Sequence, residues 1–400
     1  MVVDAEPLRL RRGIELIPSW IPGRPGVVLR DPFRYAEGPR LIPSAFVPLL
    51  SVLDGTRSRA EIIRSAGRFG GASVEPFITS LTDDGYIDGE RFRERKDACH
   101  AEFVRARLRE ALHAGSGYPD RPDELRVVLD GYRGTVAADA TASASFGIAA
   151  PHVSPFGAPL SYGAAYHQLG PHLADRTFVV LGTSHYGAPD RFGLTTKPFR
   201  TPLGEAPVDV AAVEALAAAA PRSVVREDYA HSIEHSIEFQ VVFLQHAVAP
   251  DVRIIPILCG PLECAGGDRP ESVPEVAEFF AALGQLQSKR DDLFWILGID
   301  LAHVGERYGH AFAAQAQAGV MRDVGNTDLS RLERVCEGDA DGFLELAHPR
   351  DDALNWCGTS PLYTFLRTVP SARGEILRYD QWNIDARSVV TFAGLGFDTP

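Results

Sequence analysis

From about residue 145 onward the chain is punctuated by short, almost wholly apolar runs. They are FGIAA (146–150), TFVVLG (177–182), RIIPIL (253–258), LFWILG (293–298) and SVVTFAG (388–394). Runs this short are poor buried helices, and they lack the polar alternation of a strand with one wet face. They read instead as strands covered on both faces. Between them, DVAAVEALAAAA (209–220) and EVAEFFAALGQLQ (275–287) place apolar residues at helical spacing. The alternation predicts an α/β domain, a sheet with helices packed on both sides.

The first 95 residues have a different texture. LIPSAFVPLLSVLDGTRSRAEIIRSAG (41–67) carries apolar residues at helical spacing and breaks at Asp54-Gly55-Thr56, where Thr56 or Ser58 can cap the next helix. VEPFITSLTDDGYI (74–87) repeats the plan, with a stop at Asp84-Gly85. Two or three short helices followed by a β-ribbon near 80–95 predict a small, winged-helix-like α+β domain over 1–95. The charged stretch FRERKDACHAEFVRARLREALHAG is helical in pattern and reads as a linker over about 96–112, leaving 96–400 for the α/β domain.

Composition excludes several classes. With 45% apolar and 23% charged residues the chain can build a large core, so global disorder is excluded, and 400 residues suggest two or three domains. Lys and Arg number 40 against 53 Asp and Glu, a net charge of −13, which argues against a nucleic-acid partner held by bulk charge. No run approaches a membrane span, and the N-terminus lacks the order of a signal peptide, so the expected location is the cytoplasm, without a membrane partner. Five cysteines with no CxxC pair do not read as a disulfide framework or zinc ribbon. A cysteine here acts singly.

Ligand-binding groups in open α/β sheets gather beyond the carboxyl ends of the strands. Three of the apolar runs lead into a histidine in that position: His152, His185 and, after Asp300-Leu301-Ala302, His303. One such histidine is usually a capped or surface residue; three in one topological position converge if the strands are neighbours. AHSIEHSIEFQVVFLQH (230–246) reads as one helix whose apolar stripe is Ile233, Ile237, Val241 and Leu244, with His231, His235 and Glu238 on a shared face. Cys357 stands alone between Trp356 and Gly358. Two imidazoles and a thiolate from His152, His185 and Cys357 could hold one metal, and such donors suit iron, copper or zinc better than hard cations.

These segments resemble the Memo family, whose bacterial members are called AmmeMemoRadiSam system protein B. In family order, from about His113 to the C-terminus, they are His113-Ala114-Gly115-Ser116-Gly117-Tyr118, Ala150-Pro151-His152, Leu181 to His185, Thr201 to Gly204, Glu234-His235-Ser236-Ile237-Glu238, Ile254 to Leu258, Asp300-Leu301-Ala302-His303 and Cys357-Gly358. The resemblance implies a fold similar to the class III, LigB-type extradiol dioxygenases, with a cysteine in place of the carboxylate ligand. It implies metal ligation by His152, His185 and Cys357, a pocket lined by His303 and His235, and Asp300, Glu234 and Glu238 behind them. Fe(II) is the metal it favours, then copper, with zinc last. Radical-SAM and AMMECR-type proteins are the partners it suggests. The chain departs from the family's APHAGY at Val153-Ser154-Pro155-Phe156, with Tyr162-Gly163 following late, so the loop over the metal is expected to differ. In the first 95 residues, Leu49-Leu50, Leu53 to Arg57, Glu61-Ile62-Ile63 and Asp84 to Ile87 resemble the PqqD-like domains that grip peptides or partner proteins.

The leading expectation is therefore a non-haem metal-dependent oxidoreductase acting on a small molecule or peptide. Its alternatives are an iron- or copper-handling protein without catalysis, and a peptide-modification component recruited through the N-terminal domain. A zinc hydrolase is disfavoured because HExxH does not occur.

Overall fold

The computed structural model describes residues 6–19, 23–65, 74–134, 145–264, 269–347 and 352–398. The chain divides into two units, Met1–Arg105 and Ala106–Pro400.

In the first unit, Glu15–Pro18, Gly26–Arg30 and Arg40–Pro43 form an antiparallel three-stranded sheet in that order, and Pro7–Arg9 pairs with Asp54–Ser58. Helices cover Val47–Leu50, Arg59–Ser65, Val74–Asp83 and Glu90–Arg105. Leu29, Ile42, Leu49, Ile62 and Ile78 are core residues. Ser58 does cap its helix: Glu61 Oε2 accepts from both the Ser58 amide and its hydroxyl at 2.8 Å, a capping box. The helical spacing of 41–67 survives only in pieces. Pro43 ends a strand, and Gly55 at φ 83° turns the chain where a side chain is disfavoured. The β-ribbon expected near 80–95 is absent: Ile87 makes a single bridge to Leu10, and Glu90 begins a helix. That segment is rich in charged helix formers, paired as Arg91–Glu94, and has no period-two pattern to pair as strands. The strands of this unit precede its longer helices. The final helix ends at Arg105, so residues 106–112 are irregular chain rather than the end of a linker helix.

The second unit is mixed α/β. Besides an antiparallel pair, Phe199–Thr201 with Gly204–Ala206, its strands are β1 (Gly147–Ala150), β2 (Thr177–Thr183), β3 (Phe192–Leu194), β4 (Val224–Arg226), β5 (Arg253–Cys259), β6 (Leu293–Gly298), β7 (His303–Gly305), β8 (Arg373–Asp385) and β9 (Ser388–Asp398). Strands β1 to β9 form one nine-stranded sheet in the order β4-β3-β5-β2-β6-β1-β9-β7, with β8 paired to β9. Strands β5, β2, β6 and β1 run parallel at its centre, whereas β9 is antiparallel to its neighbours β1, β7 and β8. Flanking helices are α1 (Pro122–Arg133), α2 (Pro159–His167), α3 (Val210–Ala219), α4 (Ala230–Ile233), α5 (Glu238–Ala247), α6 (Pro274–Ser288), α7 (Val320–Cys336), α8 (Ala340–Ala347) and α9 (Thr359–Thr368). Every residue of β1, β2 and β6 is buried, as apolar runs covered on both faces require. Among the described residues no helix is long and apolar enough to cross a membrane.

The single helix expected over 230–246 is broken. Glu234 has ψ 141° and separates α4 from α5. The cause is a buried arginine outside the segment. Arg109 Nε donates to His231 O at 2.8 Å and its Nη2 to Glu234 O at 2.7 Å. A continuous helix would need those carbonyls for the amides four residues on. The His235 amide donates to Glu234 Oε1 at 3.0 Å instead. The apolar stripe Ile233, Ile237, Val241 and Leu244 is buried all the same. His231, His235 and Glu238 do not share a face: His231 turns inward, its Nε2 3.0 Å from Gly193 O.

Candidate metal centre

The four central parallel strands end along one edge, in register: Gly298 lies opposite both Gly182 and Ala150. His152, His185 and Asp300 follow β1, β2 and β6 within two residues of the strand ends. Gly298 allows this crowding, because a Cβ there would lie 2.3 Å from Ser236 O. Cys357 arrives from elsewhere, on the loop before α9. It is held by Thr183 Oγ1, which donates to Cys357 O at 3.0 Å, and by the Gly358 amide, which donates to Asp300 O at 3.0 Å. Thus His152, His185 and Cys357 each place one ligand atom within 4.8 Å of the others.

Hydrogen bonds select the tautomers. His152 Nδ1 lies 2.9 Å from Gly298 O, which can only accept, so Nε2 carries the free lone pair, 3.3 Å from Cys357 Sγ. His185 is gripped twice by Glu234, its amide donating to Oε2 at 2.8 Å and its Nδ1 to Oε1 at 2.9 Å. Each Nε2 therefore faces the site, as a metal-ligating imidazole does when its other nitrogen is committed. Burial by itself would raise the Cys357 thiol. The His152 and His303 imidazoles, with hydrogen bonds to His152 and His185, outweigh it and bring the thiol down to about 5. Burial likewise opposes charge on His152, yet Asp300 and Cys357 raise it to about 9. Both shifts favour a thiolate beside an imidazolium. A soft metal needs that deprotonated sulfur.

The remaining candidates divide. His235 joins the cluster, its ring stacked on His185 at 4.9 Å and edge-on to His152 at 5.3 Å, with Nδ1 3.1 Å from Glu234 Oε1. Burial keeps His235 below its usual range, hence neutral. Burial opposes the Glu234 charge, but His185 and His235 hold its carboxyl well below the carboxylate range. Asp300 serves His152, accepting from its amide at 3.0 Å and standing 3.5 Å from its Nε2. It does not orient His303, whose Nδ1 bonds Leu301 O at 3.0 Å. His303 begins β7 at the sheet's antiparallel edge, its ring 4.9 Å from that of Tyr308. Glu238 is not brought to the His152–His185–Cys357 cluster. Its carboxylate is consumed by Arg109, Tyr118 and the amides of Leu112 and His113. Tyr162 lies on α2, buried, its hydroxyl donating to Val153 O at 3.0 Å, so the departing loop is closed over by its own tyrosine.

The Memo-like protein family matches residues 109–396, nearly three-quarters of the chain. This chain belongs to the Memo family. A MEMO1 family protein of Aquifex aeolicus is 27% identical over 381 residues, covering 92% of this chain and 95% of that protein. A MEMO1 family protein of Thermus thermophilus is 26% identical over 306 residues, covering 76% and 86%. Protein MEMO1 of Xenopus laevis is 27% identical over 274 residues, covering 66% and 85%.

In this Memo-family chain a cleft of about 720 Å³ opens onto Cys357 and His185, lined also by Leu262, Glu263 and Trp356. Among the described residues no Lys or Arg lines it. Sequence reading missed the groups beneath the site. Arg109 sits in the charged run RARLRE and looks solvated, yet its side chain is 0% exposed. His113, quoted above only as part of a matching segment, sets its ring 5.7 Å from that of His235. Asp328 and Arg331 look like the polar face of an amphipathic helix, yet both are buried.

Proposed function

We propose that this chain holds Fe(II), with copper as the alternative and zinc last, through His152 Nε2, His185 Nε2 and Cys357 Sγ. It acts as an oxidoreductase of the LigB-type, dioxygenase-like kind on a small molecule or peptide. The observation that carries this reading is the convergence of three soft or borderline donors within 4.8 Å, with the back nitrogens of His152 and His185 committed to protein acceptors. Two imidazoles and a thiolate match iron, copper or zinc and mismatch the hard cations. Bound there, Fe(II) would supply redox chemistry toward O₂ and positions open to substrate.

The chain's own groups would manage protons and orientation. Glu234 accepts from Nδ1 of both His185 and His235, leaving His235 Nε2 as an unprotonated acceptor beside the cluster. A neutral imidazole held that way can take a proton from a substrate hydroxyl at neutral pH. His303, on the other flank, is the second candidate for proton transfer, and Asp300 steadies His152. The cleft beside Cys357 would admit a neutral or cationic substrate more readily than an anion, since Glu263 lines it and, among the described residues, no Lys or Arg does.

The test is anaerobic metal analysis of the purified protein beside His152→Ala, followed by O₂ uptake after Fe(II) is added. Stoichiometric iron, lost in the variant, with O₂ consumed by the wild type alone, is the expected result. Tight metal without O₂ consumption would transfer the site to metal handling. Equal metal content in both proteins would sink the ligand set.

A further inference from the structure

Asp328 and Arg331 are charged and almost wholly buried, at 0% and 4% exposure. Three residues apart on α7, they share one face of the helix. Asp328 Oδ1 accepts from Trp356 Nε1 at 2.6 Å, and Oδ2 accepts from the hydroxyls of Tyr379 at 2.8 Å and Thr391 at 2.6 Å. Thr391 Oγ1 in turn accepts from the Ala302 amide at 2.8 Å. Arg331 forks onto Asp352 at 2.9 and 3.2 Å. Asp352 then accepts from the amides of Leu354 at 3.1 Å and Trp356 at 2.8 Å. The Arg331 guanidinium also lies 5.1 Å from the Trp356 ring centre.

These bonds end at two informative places. Trp356 immediately precedes Cys357, and Ala302 immediately precedes His303. One buried carboxylate therefore ties together the loop that carries the sulfur and the loop that carries Asp300 and His303. The cysteine loop has no ladder of its own, and Asn355 within it sits at φ 51°. Burying two charges costs several kcal/mol unless every lone pair and proton is used. Here the bonds are spent on the flanks of the site.

We infer that Asp328 and Arg331 are positioning residues that set Cys357 Sγ against the two histidines and against the Asp300–His303 loop. The inference rests on the metal reading above. Two variants test it. Trp356→Phe deletes the Nε1–H and keeps most of the ring; Arg331→Lys keeps the charge and loses the fork. Phe343→Leu, which trims the side chain whose ring lies 5.9 Å from that of Trp356, disturbs packing while leaving the polar bonds intact.

The probe is Co(II), whose thiolate charge-transfer band reports sulfur ligation. Both polar variants should lose about 10–100-fold in Co(II) affinity, together with most of that band. Phe343→Leu should keep the band even where its melting temperature falls. A wild-type band and affinity in both polar variants would overturn the inference, as would an equal loss in Phe343→Leu. If the wild type itself binds no Co(II), the metal reading fails and amide exchange of the metal-free protein decides. Faster exchange over 352–358 with 147–152 unchanged upholds the clamp, and unchanged exchange in both polar variants removes it.

Discussion

His152 and His185 follow parallel strands β1 and β2, which share a register with β6 between them, and their rings lie 5.0 Å apart, whereas Cys357 stands on a loop fastened by side chains from a distant helix. The histidine flank inherits its geometry from backbone ladders, then refines it with two carboxylates, Glu234 and Asp300, and one carbonyl, Gly298 O. The cysteine flank has almost no ladder and depends on Asp352, Arg331 and Asp328. A ladder distributes positional error over many bonds, while a side-chain clamp concentrates it in a few. Damage to single residues should therefore be felt differently on the two sides.

The largest expected effect lies beneath the histidine flank. Arg109→Met leaves Glu238 buried without its cation and frees the carbonyls of His231 and Glu234. Loss of about 3–5 kcal/mol is expected, read as the midpoint shift in urea unfolding. A change under about 1 kcal/mol would mean that the helix break does not depend on Arg109.

Next comes acid stability of that same flank. Burial pushes His231 down to about 4, against an unfolded value near 6.5. Its contribution is therefore complete above pH 6.5, declines as pH falls from 6.5 to 4, and is constant below that. The sum is about 3 kcal/mol. Glu227 follows lower down. Burial opposes its charge, but Thr196, Lys197 and Thr195 hold it at about 2, so its contribution is lost from roughly pH 4.5 to 2. Melting temperature followed against pH in wild type and His231→Gln separates the two. The variant should flatten the upper range only, and an unchanged slope between pH 6.5 and 4 would count against a buried neutral His231.

Glu234→Gln removes the charge that orients both His185 and His235. Metal affinity should fall about 10–100-fold by competition titration, while Glu238→Gln, which touches no metal-facing group, should leave affinity within about threefold. Equal losses in the two variants would erase the distinction between a carboxylate that aims ligands and one that supports the fold. The smallest effect belongs to the cysteine loop. Asn355→Ala puts a Cβ residue without a local hydrogen bond at positive φ and deletes the bond to His303 O, costing about 1 kcal/mol by urea unfolding; Asn355→Gly should cost less. Equal costs in the two variants would show that the side-chain bond, which both delete, rather than the backbone angle, matters there.

The central strands were legible because covered strands need short continuous apolar runs, and those runs start and stop within a residue or so of β1, β2, β5 and β6, whereas β3, β4, β7 and β8 were not read. The histidines after them were legible for the same reason: a strand end fixes where the next residue goes. Cys357 could be proposed as a partner for the two histidines, but its place was not legible, because nothing in Asn-Trp-Cys-Gly says which strand ends it faces. The 230–246 segment misled because its periodicity is that of one helix, while the break comes from Arg109, more than a hundred residues earlier. Glu238 misled for a related cause, since helical spacing aligned it with His235 and the break turned it toward Arg109 instead. Local pattern determined the covered strands and the histidines that follow them. Tertiary structure alone decided which carboxylates aim imidazoles and which neutralise a buried arginine, because a buried charge takes the partner that the folded chain brings within reach.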